Sequence, residues 1–344
     1  MSTVLARAPH ATRARGSRAL GLGVGLVAAV VLLVLVVGLS IAVGAKAVPL
    51  GDVWSAWRHP DGSYTSTVVA SRIPRTELGL LVGAALAVAG VVIQGLTRNP
   101  LGDPGLLGVN AGASASLVLT VVVLGGAAGR SVWAAVPGAL FAAVAVYLVG
   151  SGGRRATPVR LVLAGAAVSA VLVALVEAIT LASPTVFDTY RYWVVGSLAG
   201  RPPSTVGTVL PFVVVGLVLC LLLARPLNAL ALGDEAATSL GLRAGRTRLL
   251  GAAGATVLCA AAVAAVGPIA FVGLAVPLVV RGFTGSDHRW LLPYCLVLGP
   301  VLLLAADVLG RVVARPGELP VGAVTAFVGA PFLIAAVRRG RVGL

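Results

Sequence analysis

The feature that most constrains this chain is a succession of uncharged apolar runs, each about as long as a bilayer is thick. The first extends from Ala19 to Ala45 without a charged side chain. A hydrocarbon core about 30 Å thick is crossed by about 20 apolar residues in a helix. Lipid offers no hydrogen bonds, so each spanning backbone must satisfy its own N–H and C=O groups, as a helix does. Spans are predicted near 20–44, 77–96, 105–125, 132–150, 161–182, 205–224, 249–267, 270–283, 291–313 and 321–337. The runs are continuous rather than alternating, which argues against a transmembrane barrel. Pro and Gly interrupt 97–133, so the boundaries there are least sharp. The run at 270–283 is short and holds Pro277, which predicts a kinked or half-length helix.

Composition closes the soluble alternative. Charged residues are 11% of the chain, against roughly 25% in soluble domains, too few to build a water-facing surface. The 44 glycines suit helices that pack closely in lipid, and Gly79-x-x-x-Gly83 and Gly108-x-x-x-Gly112 have the spacing for it. The net charge of +15 could suggest nucleic acid, but no basic patch interleaves with aromatics. The arginines instead gather in short loops. With the N-terminus inside, the inner segments hold 17 of the 26 basic residues, the bias expected of cytoplasmic loops. Both termini are therefore expected in the cytoplasm. A cleaved signal peptide would have an apolar stretch of only about 7–15 residues; the run after Arg18 is longer and reads as a first span.

Catalytic signatures are missing. Lys46 is the sole lysine, and no G-x-x-x-x-G-K-[ST] surrounds it, so ATP binding through a P-loop is not expected. There is no G-x-S-x-G and no H-E-x-x-H. Cys220, Cys259 and Cys295 lie inside apolar runs without C-x-x-C spacing, and His10, His59 and His288 are scattered; neither set predicts a metal site. No cofactor is implied. Within the spans Glu177 and Asp307 are the ionisable candidates. Asp307 and Arg311 are one helical turn apart, which predicts a local ion pair. Ion-coupled transport remains an alternative on the residues alone.

The longest inner loop lies between the sixth and seventh spans. It runs from Arg225 through Asn228, Leu232, Gly233, Asp234 and Glu235 to Gly241 and Leu242. Asp234 and Glu235 suit the start of a short helix, where the macrodipole favours negative charge. Gly241 suits its end. Such a helix either lies capped on the membrane surface or docks into a cleft of a partner.

Several strings in fixed order then carry a family resemblance. They include Arg72-Ile73-Pro74-Arg75-Thr76, Gln94-Gly95-Leu96-Thr97-Arg98-Asn99-Pro100-Leu101-Gly102-Asp103-Pro104-Gly105, the Gly233–Leu242 loop, and Gly267-Pro268-Ile269-Ala270-Phe271-Val272-Gly273-Leu274. Asp287-His288-Arg289, Ala306-Asp307, Glu318-Leu319-Pro320-Val321-Gly322 and Gly329-Ala330-Pro331-Phe332 follow. From about residue 20 to 340 the sequence resembles the FecCD-type permease subunits of bacterial ABC importers for iron–siderophore complexes, haem and cobalamin.

The resemblance implies an all-α, polytopic membrane protein with the cobalamin-permease-like type II importer fold. It implies a tail at 1–19 and one transmembrane domain over 20–340, in the bacterial cytoplasmic membrane. It also implies work with a second permease copy, identical or paralogous, two ABC ATPase subunits inside, and an extracytoplasmic substrate-binding protein outside. The region 225–248 would couple to the ATPases, with Asn228, Leu232, Gly233, Asp234, Glu235 and Gly241 in the contact. Arg72, Arg75 and Arg311 match positions where the family presents basic residues to acidic residues of the binding protein, and the topology independently puts them outside. Spans near 77–116 and 161–182 would line the path. A ferric siderophore is the expected cargo, with cobalamin and haem as alternatives. One departure is Leu278, where the family often has His after the proline; it bears on packing or gating.

Overall fold

A computed structural model describes residues 10–44, 47–59, 61–125, 132–152 and 158–338. Arg7, Lys46, Arg130, Arg154, Arg155, Arg339 and Arg341, which enter the charge bias, lie outside the described residues, as does the first half of the proposed N-terminal tail. Among the described residues every regular element is helical. They are α1 (His10–Ala42), α2 (Leu50–Arg58), α3 (Tyr64–Thr97), α4 (Val109–Leu124), α5 (Val136–Ser151), α6 (Pro158–Ala182) and α7 (Pro184–Val194). Then follow α8 (Ser204–Leu222), α9 (Ala224–Ala231), α10 (Asp234–Ser239), α11 (Ala244–Val266), α12 (Val272–Thr284), α13 (His288–Val313) and α14 (Val321–Arg338).

Seven of these segments are long and apolar enough to cross a membrane: α1, α3, α5 with its preceding turn, α6, α8, α11 and α13. Three shorter apolar helices, α4, α12 and most of α14, fall on the remaining predicted runs. All ten predicted spans thus have a helix. Two starts differ by ten residues or more. The helix of α1 already starts at His10, inside the segment read as a tail, because nothing in 10–19 breaks a helix. And α3 begins at Tyr64 rather than near 77, since Ser63 caps it by accepting the Ser66 N–H at 3.2 Å, and Pro74 does not end it.

At 13 residues, α12 is about 20 Å long at 1.5 Å per residue, too short to cross, as the sequence suggested. The chain before it, 267–271, is not helical at all. Irregular backbone at membrane depth needs protein around it, and it has it: Ser197 donates its N–H to Val266 O at 2.8 Å, and Gly267 sits against the Trp193 carbonyl. Phe271 takes a left-handed φ of 70°, which a residue with a Cβ adopts at a cost. Its ring lies where a side chain at Gly329 would be: a Cβ there would come 2.5 Å from Phe271 Cγ. The glycine of the Gly329-Ala330-Pro331 string is therefore a packing requirement.

Helix α3 is the axis of the bundle. In its apolar stretch 83% is buried inside the protein, against 11% for α1, so α3 is wrapped by the rest of the bundle while α1 lies on its outside. Small residues make that wrapping possible. A Cβ on Gly83 would lie 2.6 Å from the Pro300 backbone nitrogen on α13. Gly90 abuts the Gly273 carbonyl of α12, and Gly112 of α4 abuts Gly138 of α5. Of the predicted glycine pairs, Gly79 and Gly83 both face α13. Gly108 instead takes φ 73° before α4, so it serves a turn rather than a helix contact. Cys220, Cys259 and Cys295 are buried free thiols.

Candidate functional site

Two polar clusters sit at opposite ends of α3. Arg75 belongs to one and Arg98 to the other, 23 residues later, which is about 35 Å along a helix. That exceeds the roughly 30 Å hydrocarbon core, so the clusters occupy the two polar edges of the bundle.

At the Arg75 end the chemistry starts with the end of α1. The last carbonyls of a helix have no partner within it. Here guanidinium groups supply the partners. Arg72 Nη1 donates to Ile41 O and Ala42 O at 2.8 and 3.0 Å. Arg311 Nη1 donates to Ser40 O and Val43 O at 2.8 and 2.9 Å, and Arg315 Nη2 to Gly44 O at 2.8 Å. The placement suits the negative end of the α1 dipole. Arg311 is 1% exposed and Arg72 8%, so both are structural members of the bundle as well as members of the cleft described next.

Arg75 ties the cluster together. Its Nε and Nη2 donate to Asp307 of α13 at 2.8–3.2 Å, and Nη1 donates to Glu318 Oε2 at 2.6 Å. Asp307 also takes the predicted partner, Arg311 Nη2, at 2.9 Å. A carboxylate whose side chain is 1% exposed is thus held between two guanidinium groups, which is what a buried charge requires. Above it opens a cleft of about 250 Å³ lined by Tyr64, Arg72, Arg75, Arg201, Arg311 and Glu318 among others. Four guanidinium groups there face two carboxylates, leaving an excess of positive charge. The structure therefore brings the three predicted arginines together. Arg201 and Glu318 were missed as members because they come from other connections: Arg201 precedes α8, and Glu318 lies between α13 and α14.

At the Arg98 end the long loop forms two short helices, α9 and α10, of which α10 is the one expected from Asp234, Glu235 and Gly241. Asp234 and Glu235 occupy the first turn of α10. At its other end Gly241 has φ 79°, with Gly241 N–H donating to Thr238 O and Leu242 N–H to Ala237 O. That is a Schellman termination, and glycine is the residue that adopts it freely. Asp234 is held from two sides. Arg248 Nη2 meets it at 2.8 Å and Arg98 also pairs with it. Arg98 further donates to Leu230 O at 2.7 Å, closing the end of α9 onto α3. Partial burial alone would raise the Asp234 pKa; the charges of Arg248 and Arg98 outweigh it and hold the group below its ordinary value of 3.8. A lowered carboxylate stabilises above its unfolded pKa and loses the effect only as pH falls through the folded one, so the cluster is constant near neutrality.

Asn228 proves to be an internal bracket. Its Nδ2 donates to Asp287 Oδ1 at 2.6 Å, and its Oδ1 accepts from His288 N and Nδ1 at 2.9 and 2.7 Å. It locks α9 to the start of α13, a separation of 60 residues that spacing could not reveal. Asn228→Ala strips Asp287 and the 4% exposed His288 of these partners. A loss of about 1–3 kcal/mol is expected, mostly from the buried His288, since Asp287 keeps the Arg289 N–H at 3.0 Å; it is read as a lower melting temperature in detergent, and an unchanged melt would refute the bracket. Leu232, Glu235 and Leu240 are exposed, the two leucines at 69% and 64%. Glu177 is exposed on α6. Leu278, half-buried within α12, leaves the helix unbroken.

The same architecture occurs in a solved metal-chelate type ABC transporter in an inward-facing conformation. The likeness has a TM-score of 0.79 at 26% identity, covering 91% of this chain and 98% of that one. In sequence the chain is 47% identical over 327 residues to the ferric enterobactin transport system permease protein FepD of Escherichia coli, covering 94% of this chain and 98% of the relative. It is 38% identical over 333 residues to the Fe(3+)-citrate import system permease protein YfmD of Bacillus subtilis, at 96% and 98% coverage. It is also 38% identical over 319 residues to the cobalamin import system permease protein BtuC of Halobacterium salinarum, at 88% and 85% coverage. Residues 32–339 match the FecCD transport family, and with an all-helical bundle carrying the family's strings at both polar ends, the chain belongs to that family.

Proposed function

We propose that this chain is the membrane-spanning permease subunit of an ATP-driven importer that carries a ferric siderophore across the bacterial cytoplasmic membrane. The observation that carries the reading is the polarity of the bundle: a cationic cleft at one edge and a capped short-helix pair at the other, on a chain of the FecCD family. The cleft edge faces outward and receives an acidic surface of a substrate-binding protein, with Arg72, Arg75 and Arg311 supplying the field. Charge pairs of this kind speed encounter and fix register more than they add affinity. The α9–α10 edge, within the coupling region 225–248, faces the cytoplasm and seats an ABC ATPase subunit. Leu232, Gly233, Asp234, Glu235 and Gly241 shape that surface, and Asn228 anchors it from behind. Residues 20–340 form one transmembrane domain after a short cytoplasmic tail, with both termini inside. A second permease copy completes the path.

The subunit moves its cargo without altering it, and the energy comes from the ATPase partner. Identity to the ferric enterobactin permease is 47%, against 38% for the cobalamin permease, which favours the siderophore. The test is uptake into proteoliposomes holding the permease, the ATPase and the binding protein. Ferric enterobactin should accumulate only with ATP and stop with an ATPase-dead partner. Uptake that survives that partner and collapses with an uncoupler would mean ion-coupled transport instead. Uptake of cobalamin in preference to the ferric chelate would reassign the cargo.

A further inference from the structure

The two carboxylates of the arginine cleft are held very differently. Asp307 has a side chain 1% exposed and is gripped by Arg75 and Arg311 together. Removing it would leave buried charges unpaired, so it does not exchange. Glu318 is 36% exposed on its side chain and is held by one contact, Arg75 Nη1 at 2.6 Å. Pairs at that exposure contribute on the order of 0–1 kcal/mol. Arg75 therefore has one fixed face and one exchangeable face, and the exchangeable one points into the cleft that Arg72, Arg201 and Arg311 also line.

We propose that Glu318 is a resident carboxylate that an acidic side chain of the docking partner displaces from Arg75 Nη1. This rests on the reading of the cleft as the binding-protein site. An incoming carboxylate gains the hydrogen bond that Glu318 gives up, and it enters the field of the other guanidinium groups. The exchange is close to neutral in contacts, so it sets specificity: a partner without an acidic residue at that point cannot replace Glu318. Docking also frees one of three ties that the connector between α13 and α14 makes among the described residues. The other two are Arg315 Nη2 to Gly44 O at 2.8 Å and Leu319 N–H to Gly310 O at 3.2 Å. Glu318 stands three residues before α14 begins, so the connector loosens next to that helix.

The test uses the full permease in nanodiscs, with a purified ferric-siderophore-binding protein as the probe. Wild type, Glu318→Gln, Glu318→Ala and Arg75→Glu are compared at low and high salt. Both Glu318 variants should bind up to about five-fold tighter at low salt, mostly through faster association, with the gain shrinking as salt rises. Arg75→Glu should weaken binding. If Arg75→Glu weakens binding while both Glu318 variants bind as wild type or worse, the exchange is wrong and the docking reading stands. If Arg75→Glu binds as wild type, the docking reading falls and the exchange falls with it. Monodispersity of each variant in size-exclusion chromatography separates lost binding from lost fold.

Discussion

Gly90→Val should remove folded permease from the membrane. A Cβ at Gly90 runs into the carbonyl of Gly273, and the nearest atoms are all backbone. Overpacking a core costs about 1–3 kcal/mol when side chains can shift aside. Here none is available to shift, so α12 itself must move away from α3. Leu86 O also lies close to Gly273, 2.9 Å from where its Cβ would be, so the contact extends over a turn. The loss should exceed that usual range and appear as degradation or aggregation on expression at a level that leaves wild type monodisperse. Gly21→Val is the control, since nothing lies within 4 Å of a Cβ there. Equal yields of the two variants would refute close packing of α3 on α12.

The second large effect belongs to Asp307. Asp307→Ala leaves Arg75 and Arg311 without their shared counter-charge in a site where Arg311 is 1% exposed. Breaking a buried pair by removing one partner costs about 3–5 kcal/mol. Asp307→Asn keeps an acceptor for one guanidinium and should lose less, so the order wild type, Asn, Ala is itself a prediction. Thermal or denaturant unfolding in detergent measures it. Because Arg311 also caps α1 through Ser40 O and Val43 O, the Ala variant should loosen the end of α1, seen as faster hydrogen exchange there. An Ala variant as stable as wild type would mean the carboxylate is not the centre of the cluster.

These two effects mark how far the sequence could be read. Apolar runs placed the seven helices long enough to cross and the three shorter apolar ones, because each run is contiguous and the bilayer tests each one separately. The short α12 was legible too, from its length and Pro277. Locally encoded polar features were equally visible: acidic residues opening α10, Gly241 closing it, and Asp307 one turn from Arg311. What was not legible was the use of each arginine. Arg75 meets Asp307 across 232 residues and Glu318 across 243, and no spacing rule reaches that far. The family resemblance put Asn228 in the ATPase contact; its partners Asp287 and His288 arrive only when α13 packs beside α9.

The helices, their order and the family are readable along the chain, since hydropathy, capping and motif order depend on neighbouring residues. Tertiary structure alone decided that α3 is central, that Gly90 rather than Gly108 is a helix contact, and that Arg72 and Arg311 cap α1 while Arg75 keeps one arm at the cleft. Those outcomes depend on which helix faces which. A carbonyl at the end of α1 is satisfied by whichever guanidinium the packing brings within 3 Å, and that is fixed only when the whole bundle closes.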